Sequence, residues 1–472
     1  PPAIAEGLLQ AYQAGWQLFA KSRQRQASVT CFWVDEFTTQ IDFISDTQPF
    51  ATQHQSFIQR RLKRLAEQAA QRKALIPAMQ RTNLDKAELE QQWFPQVLQS
   101  VLSLHQTYSE TDEGSGKRFS MGVVRVANVD PCIQLTRYLL ACDLPDAIDI
   151  RVMPYHSRQV LLLRSEQEKH LDTVLNRKDG RKPQANPIIR QHLQQSSKQQ
   201  LIFILVATPV TEVGRDFCLD WGVIEPSSMR SIIQLCGRIR RHRPVTELSI
   251  PNIHLLAYNL KGFTQTNPNL AVFCHPGFES KAYPLVSHDL KALVDEAALA
   301  EKVDASSRIQ AAHPLQPTQR LADLEHQALQ DILLKADFSP KAVQGWLHSA
   351  FYFTRFAQQQ SPFRSSEPEA DFVLYVEEGE LVVRFAPDRT LQGKQLGKVA
   401  VQVHSVQLEE NLKQRLWLCL DYESLLEEKR ELLGRSLRGT CEYLGTFSLP
   451  DREGEQQFEF IPYLGFMRLS NK

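Results

Sequence analysis

Two stretches of this chain carry residue types at spacings that could handle a phosphate chain. The first, Ala207-Thr208-Pro209-Val210-Thr211-Glu212-Val213-Gly214-Arg215-Asp216, follows directly on the apolar run Leu201–Ala207. Thr208 to Asp216 is therefore expected on the loop at a buried strand's carboxyl end, where open parallel sheets bind their ligands. The second, Gln234-Leu235-Cys236-Gly237-Arg238-Ile239-Arg240-Arg241-His242-Arg243, reads as a helix crowded with guanidinium groups. On a helix Arg238 and Arg241 are neighbours on one face, so two guanidinium groups could reach one phosphate chain. Phosphoryl transfer from ATP concentrates negative charge on the transferred group, and an arginine brought from a neighbouring domain offsets it. A charge run taken alone is usually a solvated face. Here the Thr-x5-Gly-x-Asp loop standing after an apolar strand makes the chemical reading the stronger one.

Other clusters lose to the bland reading. Gly114-Ser115-Gly116-Lys117 resembles the end of a phosphate loop, but Thr111 stands where glycine is required and Arg118 where the magnesium-binding Ser/Thr belongs. Phe32-Trp33-Val34-Asp35-Glu36 ends like a magnesium site, yet it precedes that supposed loop, the wrong order for one nucleotide domain. His288-Asp289 suggests a metal-dependent phosphohydrolase, but His275 and Asp295 lie too near in sequence to come from separate helices. Trp346, Phe351, Tyr352, Phe353 and Phe356 could stack on bases, though such density on a helix reads as packing. Arg60–Arg64 and Arg177–Lys182 read as solvated basic faces.

The elements that must position the two stretches are those of an α/β fold. Buried strands at Met121–Ala127, Asp149–Met153, Leu201–Ala207 and Ile250–Tyr258 alternate with helices at Cys132–Ala141 and Leu163–Leu175, the pattern of a parallel sheet covered on both faces. The polar stretch Asn176–Gln200 reads as a solvated loop or frayed helix. Before this domain, an amphipathic helix at Ile4–Phe19, a strand at Val29–Val34 and a basic helix at Phe57–Arg72 make a connector. After it, helices at Asp323–Lys335 and Pro340–Gln358 lead to a small α+β domain. That domain holds a hairpin, Phe372–Val376 with Leu381–Phe385, strands at Lys398–Val403, Cys441–Phe447 and Gln457–Ile461, and a helix at Tyr422–Leu433. The boundaries read as 1–116 connector, 117–262 sheet domain, 263–360 helical linker and 361–472 accessory domain.

Composition bounds the function. The 472 residues suit several domains. With 54 Lys plus Arg against 54 Asp plus Glu, the chain is not one that coats nucleic acid through overall charge. Its eight scattered cysteines include no Cys-x-x-Cys, so no zinc site or disulfide framework is expected, and reduced cytoplasmic thiols are the default. No apolar run is long enough to span a bilayer. The opening Pro1-Pro2, entering a helical pattern at once, reads as a piece of a longer protein.

The two stretches resemble motifs V and VI of superfamily-two helicases: Thr208, Gly214 and Asp216 match the first, and Gln234, Gly237, Arg238 and Arg241 the second. More narrowly, Ala207–Asp216, Glu225–Arg230, Ser231–Arg243, Gly122–Pro131 and Tyr155-His156-Ser157-Arg158 resemble the helicase-nuclease of type I-F CRISPR systems. The resemblance implies the second RecA-like domain of an ATP-dependent single-stranded-DNA translocase, beginning just after motif III. By that resemblance Arg238 and Arg241 are arginine fingers, Gln234 bridges to the other RecA-like domain, and Gly214, Asp216 and Gly237 lie at the nucleotide. Thr208, Arg158 and His156 lie at DNA phosphates. It further implies ATP and magnesium held mainly by the first domain, and three partners: single-stranded DNA, an RNA-guided CRISPR surveillance complex, and adaptation proteins met through the N-terminal region. A truncated non-enzymatic nucleic-acid-binding or docking module, or an RNA helicase of the same superfamily, are the alternatives.

Overall fold

The computed structural model describes residues 1–24, 29–44, 50–82, 85–212, 214–265, 267, 269–339, 342–348, 369–387, 401–451 and 456–469. At the amino end, helix α1 (Pro2–Ser22), the antiparallel hairpin β1 (Val29–Val34) and β2 (Thr39–Ile44), and helix α2 (Phe50–Glu67) form a subsidiary unit. Val29, Trp33, Ile44 and Phe57 are its small core.

The main body is a seven-stranded sheet built from β3 (Ala74–Leu75), β4 (Glu110–Thr111), β5 (Arg118–Arg125), β6 (Ile148–Tyr155), β7 (Gln200–Ala207), β8 (Trp221–Ile224) and β9 (Ile253–Leu255). The order is β3-β9-β8-β5-β7-β6, parallel throughout, with β4 antiparallel against the start of β5. Helices cover both faces. On one lie α5 (Leu161–Leu175), α6 (Pro187–Gln195) and α7 (Met229–Cys236), meeting Phe203 and Leu205. On the other lie α3 (Lys86–Tyr108), α4 (Val129–Ala141) and α8 (Leu260–Thr264), meeting Ile202, Ile204 and Val206. Alternate side chains of β7 thus enter opposite cores, which is why its sequence is apolar without interruption. From β5 the chain crosses to β6 on one side, while from β8 it continues to β9 on the other, so the topological switch point lies at the carboxyl ends of β5 and β8.

Several elements differ from the sequence reading. The sheet draws in β3 and α3, both within the stretch read as connector, and α3 buries Trp93, Val97 and Val101 completely. Strand β8 was not expected. It can pass beside β5 because Gly122 has no side chain: a Cβ there would stand 2.2 Å from the Trp221 ring. Part of the polar stretch 176–200 is helix α6, started by Asn186, whose side chain accepts from the Ile188 amide at 3.0 Å.

Carboxyl-terminal to the sheet domain, the helix Leu321–Leu333 is followed by Val343–His348; the aromatic positions 351–356 and the Trp346 side chain lie outside the described residues. The hairpin forms as expected, β10 (Glu369–Glu377) against β11 (Glu380–Phe385), with Glu378 and Gly379 both at positive φ in its turn. The strand expected at Cys441–Phe447 is instead mostly helix, Leu437–Leu444, capped by Ser436 through the Gly439 amide, before the strand Thr446–Pro450. Local apolar content favoured a strand there; the serine cap and the burial of Thr440 and Cys441 on one helical face override it. This region is not free of the sheet. Val160, Leu162 and Leu163 of the sheet domain sit in its core, and Trp417 enters the core of the sheet. The segment around Leu416 pairs with β6 through Val152, covering that sheet edge.

Candidate functional site

The loop from Thr208 to Asp220 and the segment after α7 are built against each other. Helix α7 begins at Ser228, whose hydroxyl accepts from the Ser231 amide at 3.2 Å, and ends at Cys236 with Gly237 as its cap. Arg238 to His242 are therefore not helical, contrary to expectation. The reason is a long-range main-chain clasp: the Leu219 amide donates to Arg238 at 2.9 Å and the Arg240 amide to Leu219 at 2.8 Å, with Arg240 at positive φ. A charge run that looked like a helix face is a loop pinned beside the start of β8.

The clasp brings Arg241 to Asp216 and Arg238 to the Glu212 carbonyl of the same loop. Arg241 Nε lies 2.6 Å from the Asp216 carboxylate, His242 Nε2 lies 3.0 Å from it, and Lys178 pairs with it as well. Lys178 above all, then His242 and Arg241, hold that carboxyl at about 2, below the usual range. Arg241 is half-exposed. Arg238 is buried, its Nη2 donates to the Glu212 carbonyl at 2.9 Å, and its Nε has no partner among the described residues. Burial, and then the nearby charge of Arg241, pull the Arg238 guanidinium below its ordinary value. Gly214 turns the loop at φ +74°, a conformation that favours glycine. Arg215 anchors it to α5 through Asp172 at 3.1 Å and Glu168. Gln234 is part-buried on the last turns of α7.

Thr208, His156 and Arg158 do come together, at the adjacent carboxyl ends of β7 and β6, where the Thr208 amide donates to Tyr155 at 3.1 Å. They are not equally available. His156, expected at DNA, is fully buried; its Nδ1 accepts from the Arg158 amide at 3.2 Å and its Nε2 meets the Leu464 carbonyl at 2.8 Å. Burial lowers its pKa to about 3. It is a neutral ring that fastens the carboxyl-terminal region, and it cannot meet a phosphate from solvent. Arg158 pairs with Asp130 at 2.6 Å and is mostly covered.

The sequence reading missed two polar hubs. Arg125, at the carboxyl end of β5, is fully buried and pairs with Glu212 at 2.9 Å. Asp220, before β8, accepts from the Met121 amide at 2.8 Å, from Arg177 at 2.6 Å and from Arg243 at 2.5 Å. Arg177, read as part of a solvated basic face, is thus buried and paired. The available signal was an arginine inside the apolar run Val123-Val124-Arg125-Val126, since a charge there must find a partner. The other clusters are structural. Lys117 donates to the Leu193 carbonyl at 2.7 Å at the end of α6, and Asp35 accepts the Phe37 and Thr38 amides at 2.8 and 2.7 Å in the β1–β2 turn. His288 meets the Leu270 carbonyl at 2.9 Å, and no metal-binding group of His, Cys, Asp and Glu occurs among the described residues.

Fold and site together make a parallel α/β domain in which the loop after the third long strand holds two arginines, one on the Asp216 carboxylate and one on the Glu212 carbonyl. The family described as "CRISPR-associated nuclease/helicase Cas3, C-terminal" matches residues 118–244. Over 99% of its length the chain is 34% identical to the CRISPR-associated nuclease/helicase Cas3 subtype I-F/YPEST of Pseudomonas aeruginosa, covering 43% of that protein. Over 80% of its length it is 32% identical to the protein of the same description from Pectobacterium atrosepticum, covering 35% of it. A solved structure, T. fusca Cas3 with ATP, is similar at 13% identity and a TM-score of 0.39, over 93% of this chain and 45% of that one. The chain belongs with the C-terminal helicase region of type I-F Cas3, and it spans less than half the length of the curated relatives it matches.

Proposed function

We propose that this chain is the second RecA-like half of an ATP-driven, superfamily-two single-stranded-DNA translocase, acting with a first motor domain and a nuclease domain in the full-length helicase. The observation that carries the reading is two guanidinium groups held against one loop, Arg241 paired with Asp216 and Arg238 with the Glu212 carbonyl. One guanidinium has an unpartnered buried nitrogen, and the other is half-exposed, held by a single aspartate. That donor set fits an anionic phosphate chain delivered from outside. Magnesium-ATP, held mainly by the first domain, supplies the phosphoryl group whose charge these residues would offset. Arg238 and Arg241 would bind and orient the phosphates, Asp216 would take the ribose side, and Thr208 with Arg158 would meet DNA phosphates. In this account the strand is handed over on invader DNA marked by an RNA-guided surveillance complex. The test is phosphate release by this chain alone, with and without single-stranded DNA. Lys117 is committed to α6, so the chain alone should show no turnover; DNA-stimulated hydrolysis that disappears in Lys117→Ala would contradict the reading.

A further inference from the structure

We infer that Arg125 and Glu212 are a positioning pair that sets Arg238 for ATP turnover, an inference that rests on the reading of Arg238 given above. Arg125 clamps three segments at the switch point of the sheet. Its Nε donates to Glu212 on the loop after β7 at 2.9 Å, its Nη1 to the Glu225 carbonyl at the end of β8 at 2.6 Å, and its Nη2 to Ser227 at 2.6 Å and to Ser231 in the first turn of α7. Ser231 closes the ring by donating to the same Glu212 carboxylate.

Glu212 faces two ways. Its side chain belongs to this clamp, while its own carbonyl accepts from Arg238 at 2.9 Å. The only side-chain hydrogen bond that orients Arg238 therefore ends, among the described residues, on a peptide group whose place is set by Arg125. Glu225 ties the clamp to its surroundings by accepting the Ala127 amide at 2.5 Å and the Leu260 amide at 2.8 Å. A buried ion pair is poor value for stability alone, because desolvation offsets much of the attraction. What this one supplies is register: a planar fork with several fixed acceptors admits one arrangement of loop, strand end and helix, which a lysine's point charge would not impose.

The experiment is a double-mutant comparison in the full-length helicase, reading kcat and KM for ATP with single-stranded DNA, together with Tm. Glu212→Gln keeps the shape and weakens the clamp. It should lower kcat by roughly tenfold with KM changed less than about twofold, the signature of an interaction felt chiefly in the transition state. In an Arg238→Ala background the same substitution should cost less than about twofold more, because its effect travels through the missing arginine. Ser231→Ala carries the same comparison should the glutamine variant fail to fold. Arg125→Lys should not behave as wild type. Equal losses in both backgrounds, tracking Tm, would overturn the inference and leave a merely structural clamp. If Arg238→Ala itself turns over ATP normally, the reading of the arginine site falls and this inference with it, an outcome distinct from additivity.

Discussion

Removing the Trp417 ring should loosen the carboxyl-terminal region from the sheet, so that the main-chain bridge that carries it still forms but opens more often. Trp417 is fully buried, 5.2 Å from the Phe203 ring and 6.1 Å from His170, centroid to centroid. Its amide donates to Val152 at 2.9 Å and its carbonyl meets His192 Nε2 at 2.8 Å, bonds that survive any change of side chain. A buried tryptophan hides about 200–250 Å², which at about 25 cal/mol/Å² is an upper bound of about 5–6 kcal/mol. Its indole N–H has no partner among the described residues, which offsets part of that gain. Trp417→Ala should then cost about 3–5 kcal/mol, whereas Trp417→Phe, which discards the orphaned donor and keeps a ring, should cost about 1 kcal/mol. Native-state hydrogen exchange of the Val152 and Trp417 amides reads the opening of this junction directly. The alanine variant should exchange faster there by about two to three and a half powers of ten, using 1.4 kcal/mol per tenfold. Protection within about 1 kcal/mol of wild type in the alanine variant would refute the claim that this ring is the anchor.

Two further outcomes follow from the same structure. Burial holds His105, His170 and His254 at about 4 and His156 at about 3, all below the ordinary 6.5. Unfolding restores the ordinary value, so below it the unfolded chain binds protons that the native chain refuses. Stability should be full above pH ~6.5 and fall on acidification toward pH ~4, by up to ~1.4 kcal/mol per pH unit for each histidine. His156→Gln, followed by urea unfolding across this range, should flatten the slope by about one proton; an unchanged slope would show that His156 is not buried neutral. For DNA, the contacts assigned to Thr208 and Arg158 predict weak single-strand binding with little base preference, and an affinity that falls as salt rises. Fluorescence anisotropy at several salt concentrations checks this, and salt-independent binding would contradict it.

How much of this was legible in the sequence depended on whether local pattern or distant contact decides each residue. Strand β7 was readable because both its faces are buried, so Leu201–Ala207 is apolar without a break, and β5 and β6 were readable from mostly apolar stretches interrupted by single charges such as Arg125 and Arg151. Strand β8 escaped because it is four residues long and flanked by Asp220 and Glu225, charges whose partners lie far away in sequence. The arginine stretch was read with the wrong shape. Nothing local in Gly237–Arg241 announces that Leu219 will take its main chain and hold it out of the helix. His156 failed for a similar reason: beside a strand end it looks exposed, yet the segment around Leu464 that covers it stands at the far end of the chain. The spacing of Thr208, Gly214 and Asp216 was legible, whereas the Arg125–Glu212 pair behind it announced itself only as a charge in an apolar strand.

The central claim, that Arg238 and Arg241 serve ATP turnover, is tested most directly by steady-state hydrolysis in the full-length helicase with single-stranded DNA. Arg238→Ala and Arg241→Ala should each lower turnover by roughly 10³-fold or more, as trans-acting arginines do, with a modest change in ATP affinity. Lysine at either position should not restore it. Arg240→Ala is the control: Arg240 sits at positive φ between the two, turned toward Thr246 at 3.4 Å rather than toward Asp216, and should cost far less. A protein in which Arg240 is the essential residue, or in which both other substitutions leave turnover near normal, would contradict the account.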